Sequence, residues 1–271
     1  MLFDKIQETA TFLKSRIAHT PVAGIILGSG LGRMTEYMEE AISIPYSDIP
    51  NFPTSTVEGH DGRLIFGKMG GKDVMMMAGR FHYYEGYNME EVTFPVRVMK
   101  ALGVATLLVS NAAGGMNRDM KVGDIMFIHD HINLFPEHPL RGRNDERLGL
   151  RFPNMSEPYS LPLLASAKAI AARLDISVRA GVYVGLQGPT FETRAEYHWL
   201  HVIGGDAVGM STVPEVIVAI HGGMKIFAAS IITDLGISEE LNTITHEEVL
   251  EAANIAAPKL AKIMVELVAE L

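Results

Sequence analysis

Residues 178–233 read VRAGVYVGLQGPTFETRAEYHWLHVIGGDAVGMSTVPEVIVAIHGGMKIFAASIIT. Short apolar runs typical of buried strands alternate in this stretch with segments of helical periodicity. The predicted strands are 178–184, 207–210 and 225–233, and the predicted helices are 194–203 and 214–221. Strands that alternate with helices indicate an α/β fold whose central sheet is largely parallel.

The rest of the chain extends this alternation towards both ends. Helices are predicted at 3–17, 90–102, 161–174 and 246–271, strands at 22–27, 104–109 and 125–128, and a hairpin pairs 63–67 with 73–78. No composition break, internal repeat or linker divides the sequence. We therefore expect residues 1–271 to form a single α/β domain with a central mixed, largely parallel sheet flanked by helices.

Composition and charge exclude several classes of protein. The 271 residues are 48% hydrophobic, which is enough apolar side chain for a sizeable core. The net charge of -9 and the absence of a basic run argue against a nucleic acid or an anionic membrane as partner. The lack of cysteine excludes disulfides, thiolate metal sites and cysteine nucleophiles. An acid at Asp4 and the lack of a long apolar segment favour a cytoplasmic location.

Several predicted strands end in glycine or polar residues. In open α/β sheets ligands bind beyond the carboxyl ends of the strands, where loops and helix N-termini meet. The candidate strand ends are 28–32, 79–84, 111–115, 209–212 and 233–234, and two of them, 28–32 and 111–115, are predicted to be glycine loops. The irregular stretch 136–159 is also a candidate, because long ordered loops are commonly functional.

The segment 79–87, GRFHYYEGY, places charged and aromatic side chains directly after a strand. A period of two puts Arg80, His82 and Tyr84 on one side of an extended chain. Arginine contacts phosphate oxygens in a bidentate manner, histidine adds a donor, and tyrosine offers a flat wall for a sugar. The pattern predicts a site for an anion beside a sugar, and the alternative is a solvated sheet edge.

Other motifs fail as signatures of known chemistry. The GSGLG run at 28–32 lacks the third glycine of a dinucleotide-binding fingerprint, because position 33 is Arg33, and no GxxxxGK[ST] loop occurs. A glycine turn remains, which is either purely structural or half of an anion site with Ser29. The segment 209–213 lacks the second glycine of a serine hydrolase elbow. His129 and His131, with His138 close by, lack a third metal ligand at a recognisable spacing, which favours ordinary hydrogen bonding over zinc.

Taken in order, these segments and several others resemble the trimeric purine nucleoside phosphorylases. The matching blocks are GSGLG (28–32), GHDG (59–62), GRFHYYEGY (79–87), NAAGG (111–115), GRND (142–145), GPTFET (188–193), VGMSTVPE (208–215) and HEEVL (246–250). The resemblance covers nearly the whole chain. It implies a homotrimeric pentosyltransferase that binds purine nucleosides and inorganic phosphate, with phosphate as co-substrate and no metal or organic cofactor.

The resemblance also implies a role for individual positions. Phosphate would be held by Ser29, His60, Arg80, His82, Ser211 and the backbone N–H of Ala112. Ribose would meet Tyr84, Met210, His246 and, from a neighbouring subunit, Phe152. The base would meet Phe191, Glu192, Val208, Gly209, Thr233 and Asp234. The residues with implied catalytic roles are His82, Glu192, Asp234 and His246.

The reaction implied by the resemblance is phosphorolysis of inosine and guanosine, or their 2′-deoxy forms, to a free purine and (2-deoxy)ribose 1-phosphate, as part of purine salvage. Its oxocarbenium-like transition state separates charge, so the site must stabilise both the sugar cation and the base anion. A protein that only binds nucleosides would not need the set formed by Arg80, His82 and Ser211.

Asp234 departs from the pattern of the family. Members that prefer 6-oxopurines carry Asn at this position, and the related methylthioadenosine phosphorylases carry Asp. An ionised carboxylate accepts from a 6-amino group, whereas a protonated one donates to N7. Glu192 suits the N1–H of a 6-oxopurine. We expect 6-oxopurine nucleosides to be the main substrates, with adenosine accepted more readily than in an Asn member; the alternative is a phosphorylase that prefers 6-aminopurine nucleosides such as methylthioadenosine or adenosine.

Overall fold

The computed structural model describes residues 1–56, 61–236 and 245–271. The described residues form α-helices at α1 Leu2–Lys14, α2 Met89–Ala101, α3 Leu161–Arg173, α4 Arg194–Val202, α5 Val213–His221 and α6 His246–Ala269. The strands are β1 Ala23–Ile26, β2 Glu39–Pro45, β3 Arg63–Met69, β4 Lys72–Ala78, β5 Thr106–Gly115, β6 Ile125–Asn133, β7 Val178–Gly185, β8 Ala207–Gly209 and β9 Lys225–Leu235. Each helix and strand predicted from the sequence is present, and β2 is additional.

The strands form one sheet in the order β2-β3-β4-β1-β5-β8-β7-β6-β9. The pairs β1–β4, β1–β5, β5–β9, β6–β7 and β7–β8 are parallel, and the pairs β2–β3, β3–β4, β5–β8 and β6–β9 are antiparallel. The predicted mixed, largely parallel sheet flanked by helices is confirmed. Because β9 pairs with β5 as well as with β6, the last five strands of the order close into a ring.

The prediction of a glycine loop at residues 111–115 is wrong. These residues continue β5, where they pair with β9 and, at Gly114 and Gly115, with β8. The small side chains serve close packing here, since a Cβ on Gly114 would lie 2.7 Å from the Tyr197 hydroxyl. Residues 111–115 are therefore part of a strand that lies between β8 and β9.

The strands at the centre of the sheet are buried, and the starts of two helices are fixed by capping residues. The core contains the run Met75–Met77 of β4 and the run Leu107–Val109 of β5, which are at most 2% exposed. Reciprocal caps fix the starts of α4 and α6, where Thr193 and Thr245 bond to the glutamates in the following first turn. No helix in the described ranges is long and apolar enough to cross a membrane.

Candidate active site

A cavity of about 330 Å³ lies where the segments after several strands meet. The predicted site residues that line it are Ser29, Arg80, His82, Tyr84, Ala112, Phe191, Glu192, Val208, Gly209, Met210, Ser211, Thr233, Asp234 and His246. Lining residues to which no individual role was assigned from the sequence are Asn111, Ala113, Gly114, Pro189, Tyr197 and Val249. All five candidate strand ends contribute, so the strand-end rule located the cavity.

Arg80 is a buried member of an ion pair. It follows β4 and is 1% exposed, so the alternative of a solvated edge is wrong. Its Nε and Nη2 donate to the two carboxylate oxygens of Glu215 at 3.0 and 3.1 Å, and its Nη1 donates to the carbonyl oxygen of Ser110 at 2.7 Å. These bonds fix the plane of the guanidinium beside the cavity. Glu215 lies in the first turn of α5 and was not predicted as a site residue.

His82 and Tyr84 face the cavity through a turn of 3-10 helix, Tyr83–Glu85, and not through the extended chain that the period of two predicts. The intervening Phe81 packs into the core instead. The rings of His82 and Tyr84 stack at 4.7 Å between centroids with 14° between their planes. The stack presents an imidazole edge next to a flat aromatic surface in the cavity wall.

The protonation state of His82 follows from its contact with Glu85. Burial, together with the charge of Arg80, lowers the pKa of His82 despite the hydrogen bond with Glu85. Burial would raise the pKa of Glu85, but hydrogen bonds from His82 and Thr56 outweigh it and bring that pKa to about 2. Glu85 is therefore an acceptor, and the 3.0 Å contact identifies Nδ1 of His82 as the donor. The neutral imidazole then carries no proton on Nε2.

Ser211 lies in a strained turn that starts α5. The next residue, Thr212, has φ of 69° and ψ of -56°, a conformation that is costly for a β-branched side chain. The Asn111 amide donates to the Thr212 hydroxyl at 2.8 Å, and the Thr212 and Ser211 hydroxyls are 3.2 Å apart. The turn is thus held from β5, and it directs Ser211 into the cavity.

A carboxylate pair and a tyrosine form another part of the wall. Asp234, 8% exposed at the end of β9, accepts from the Tyr197 hydroxyl at 2.9 Å and from the Thr233 hydroxyl at 3.1 Å. Burial raises the pKa of Asp234, and the two hydrogen bonds partly offset the rise. Burial also raises the pKa of Glu192, and the Asp234 carboxylate adds to it against the hydrogen bonds from Tyr197 and from the Glu192 backbone.

Tyr197 was not predicted as a site residue. It is an apolar position of the amphipathic helix α4 and has the sequence signature of an ordinary core aromatic. Its contact with Asp234 joins positions 37 apart in the chain, which no local pattern reveals. A buried tyrosine nevertheless needs a polar partner for its hydroxyl. This requirement is the one signal in the sequence that could have marked Tyr197 as a site residue.

Two predicted positions remain, and one of them, Phe152, does not line the cavity. His60 lies outside the described residues. Phe152 is 86% exposed, with the Arg151 guanidinium 5.7 Å from the centre of its ring. Among the described residues no three His, Asp or Glu side chains form a group that could hold a metal. His131 instead shares a 3.0 Å hydrogen bond with the Tyr159 hydroxyl, and burial lowers its pKa.

Comparisons with known proteins identify the family to which this chain belongs. The family model described as "Phosphorylase superfamily" matches residues 22–269. Purine nucleoside phosphorylase 1 of Geobacillus stearothermophilus is 55% identical over 91% of this chain and 90% of its own. Purine nucleoside phosphorylase 1 of Bacillus subtilis (strain 168) is 47% identical over 98% of both chains. The structure of Schistosoma mansoni purine nucleoside phosphorylase in complex with adenosine has a TM-score of 0.94 at 41% identity, covering 99% of this chain and 97% of that one.

The chain is an enzyme of the phosphorylase superfamily. In it, strand ends converge on a pocket lined by hydrogen-bond donors and acidic side chains. Within that superfamily, the chain belongs to the purine nucleoside phosphorylases, which are pentosyltransferases. The family resemblance seen in the sequence is confirmed.

Proposed function

We propose that the protein catalyses the reversible phosphorolysis of purine ribonucleosides and 2′-deoxyribonucleosides. One observation carries the proposal: Arg80 bonds to Ser110 of β5, whereas Asp234 pairs with Gly114 of the same strand. A strand rises about 3.3 Å per residue, so roughly 13 Å separates these two strand positions. A phosphate at one end and a purine at the other, with ribose between them beside Tyr84 and Met210, suit this spacing.

The phosphate subsite combines fixed donors with a neutral imidazole. Arg80, the hydroxyls of Ser29 and Ser211 and the backbone N–H of Ala112 are donors suited to an anion. Nε2 of His82 suits the O–H of hydrogen phosphate, because the Nδ1 proton is directed at Glu85. His60 is proposed as a further donor on the strength of the family resemblance. No metal or organic cofactor enters this scheme.

The reaction follows from charge separation across the cavity. As the glycosidic bond breaks, its electron pair leaves with the purine and the ribose gains oxocarbenium character. Phosphate on the opposite face stabilises the cation and then bonds to the anomeric carbon with inversion, which gives ribose 1-phosphate or its 2-deoxy form. His246 is proposed to bind the 5′-hydroxyl. Asp234 in its protonated form donates to N7, which neutralises the departing base.

The proposed base preference depends on Glu192 and Asp234. Glu192 accepts the N1–H of hypoxanthine or guanine, which makes inosine and guanosine the main substrates, while Phe191, Val208, Gly209 and Thr233 surround the ring. Asp234 as a carboxylate accepts from a 6-amino group, so adenosine is also cleaved. The Schistosoma mansoni relative has been solved with adenosine bound, and a schistosoma purine nucleoside phosphorylase with hypoxanthine bound.

A preference for 6-aminopurine nucleosides, methylthioadenosine included, is the second candidate, and the carboxylate at Asp234 favours it. The substrate panel consists of kcat/KM for inosine, guanosine, adenosine and methylthioadenosine, in the wild type and in Asp234→Asn. We expect inosine to lead in the wild type and adenosine turnover to fall in the variant. If kcat/KM for adenosine is the same in Asp234→Asn as in the wild type, the role given to Asp234 is contradicted.

We further propose a homotrimer in which Phe152 closes the ribose pocket of a neighbouring subunit. An 86% exposed phenylalanine supports this, because a large apolar side chain that stands free on one chain is suited to burial against another. The net charge of -9 fits small-molecule partners and not nucleic acid. We expect the enzyme to serve purine salvage in the cytoplasm.

A further inference from the structure

We propose that Tyr197 is a specificity-determining residue whose hydroxyl holds Asp234 as a hydrogen-bond acceptor and so extends the base pocket to 6-aminopurines. The inference rests on the proposed function. It assigns to Tyr197 an indirect, positioning role, exerted through Asp234.

Both oxygens of the Asp234 carboxyl accept hydrogen bonds from neighbouring hydroxyls. Oδ2 receives the Tyr197 hydroxyl at 2.9 Å and Oδ1 receives the Thr233 hydroxyl at 3.1 Å. Hydrogen bonds accepted by both oxygens stabilise the ionised form of a carboxyl group and so act against the effect of burial. Burial raises the pKa of Tyr197 well above its ordinary value, with the nearby carboxylates adding to the rise, so the phenol remains a donor throughout the working pH range.

The backbone around Tyr197 is shaped to accept this hydroxyl. The side chain is 3% exposed, and its helix is anchored by the reciprocal cap of Thr193 and Glu196. A Cβ on Gly114 would lie 2.7 Å from the Tyr197 hydroxyl and 2.9 Å from Oδ2 of Asp234, and a Cβ on Gly236 would overlap the ring. The glycines at position 114 in β5 and at position 236 after β9 therefore leave room for the phenol and for its bond to Asp234.

The titratable groups around this contact are Glu192 and Glu196 from the α4 side and His246 from α6, while β5 presents Ala113 and Gly114. Burial raises the pKa of Asp234, and Tyr197 is the first of the groups that oppose the rise. The same hydroxyl also acts to lower the pKa of Glu192, against burial and the charge of Asp234. Burial thus favours the donor form of Asp234, and the Tyr197 hydroxyl is the strongest of the groups that favour the acceptor form.

The two forms of Asp234 select different bases. The ionised form accepts from the 6-amino group of adenine and repels O6 of a 6-oxopurine, whereas the protonated form donates to O6 or N7. Removal of the Tyr197 hydroxyl favours the protonated form. The variant should therefore lose activity on adenosine while retaining activity on inosine.

The test is the ratio of kcat/KM for inosine to that for adenosine in Tyr197→Phe, measured from pH 6 to 10. One hydrogen bond to a charged group corresponds to about one pKa unit, so the ratio should rise about tenfold and the alkaline limit of inosine cleavage should move up by about one pH unit. Tyr37→Phe removes the same atom from a 37% exposed tyrosine and should leave both quantities unchanged.

A second background separates an effect on Asp234 from a general disturbance. In Asp234→Asn one titratable partner of Tyr197 is gone and only Glu192 remains, so the added Tyr197→Phe change should shift the ratio and the pH limit clearly less than it does beside Asp234. Equal losses on both nucleosides with an unmoved pH profile, or the same shift in the Asn background, would overturn the inference.

Binding of free bases keeps the test independent of turnover. Calorimetric affinities for hypoxanthine and adenine should show the same change of about tenfold in their ratio between wild type and Tyr197→Phe. A change in binding without any phosphate-dependent cleavage would overturn the proposed function and support the role of Tyr197. Cleavage by the wild type with no change in either ratio would support the proposed function and overturn the role of Tyr197.

Discussion

The guanidinium of Arg80 and the carboxylate of Glu215 form a bidentate pair, with N–O distances of 3.0 and 3.1 Å, between side chains that are 1% and 4% exposed. The pair joins the end of β4 to the first turn of α5, across 135 positions of the sequence. It fixes a cation at the wall of the cavity without leaving it unpaired in the interior. Glu215 is on this account a positioning residue for the phosphate subsite.

Glu215→Ala should destabilise the protein by about 3–5 kcal/mol, because removal of one partner leaves the other charge buried and uncompensated. The KM for phosphate should rise about tenfold or more as Arg80 loses its fixed orientation. Urea unfolding and phosphate-dependent initial rates measure the two effects. Glu36→Ala breaks the exposed pair with Arg33 and should cost under about 1 kcal/mol. Equal stability losses in the two variants would contradict the account.

Glu85→Gln tests the histidine tautomer. The substitution removes the charged acceptor of the His82 Nδ1 proton, so the KM for phosphate should rise about tenfold while the KM for nucleoside changes little. Thr56, which also bonds to Glu85, allows a matched control: Thr56→Val removes one hydroxyl from the same carboxylate without touching His82. A phosphate KM that moves as much in Thr56→Val as in Glu85→Gln would show that the effect does not pass through His82.

Glu85 also predicts a pH dependence of stability. Its pKa in the fold is about 2, below the ordinary value of 4.5, so the carboxylate stabilises the fold above pH 4.5. That contribution is lost as the pH falls from 4.5 towards 2, because the group must then take up a proton. Unfolding free energies across this range should fall more steeply for the wild type than for Glu85→Gln. Parallel curves would contradict the assignment.

Gly114→Ala should damage the base subsite selectively. The new Cβ would lie 2.7 Å from the Tyr197 hydroxyl and 2.9 Å from Oδ2 of Asp234, so one of these groups must move. We expect kcat/KM for purine nucleosides to fall by about tenfold or more, while the KM for phosphate stays near that of the wild type. Gly222→Ala is the matched control, since its Cβ would make only ordinary contacts of 3.5 Å or longer. Comparable losses in the two variants would mean that the crowding at Gly114 is not the cause.

Phe152→Ala tests the shared ribose pocket. If a neighbouring subunit supplies this ring, the KM for inosine should rise about tenfold, because the loss of a contacting aromatic side chain typically costs more than about 1 kcal/mol. Light scattering on the wild type should give three times the mass of one chain. Ile255→Ala, at a position 72% exposed on α6, should leave KM unchanged. A monomeric wild type, or an unchanged KM in Phe152→Ala, would overturn the proposal.

Local pattern was enough to predict most of the fold. Buried strands such as β1 and β9 are mostly apolar, and helices such as α4 and α6 carry both amphipathic spacing and capping residues. β2 was missed because it is an exposed edge strand, EEAISIP, whose charges and proline hide its periodicity. The closure of the ring by β5 and β9 was also missed, since strand order is set by long-range packing that periodicity does not encode.

In the candidate site, too, the residues that local sequence identifies differ from those that only long-range contacts bring into place. Most of its lining residues were predicted from strand ends and from the family blocks, because both are continuous in sequence. The groups that hold those residues in place, Glu215 beside Arg80 and Tyr197 beside Asp234, were not, since each contact joins distant positions. Glu85 was not predicted either, although it lies only three residues after His82, because the turn of 3-10 helix that brings the two side chains together was not expected.

The most direct test of the central claim is the release of hypoxanthine from inosine by the purified protein, measured with and without inorganic phosphate. The account predicts hypoxanthine and ribose 1-phosphate in equal amounts when phosphate is present, and neither product when it is omitted. Hypoxanthine released at the same rate without phosphate, with free ribose as the second product, would contradict it.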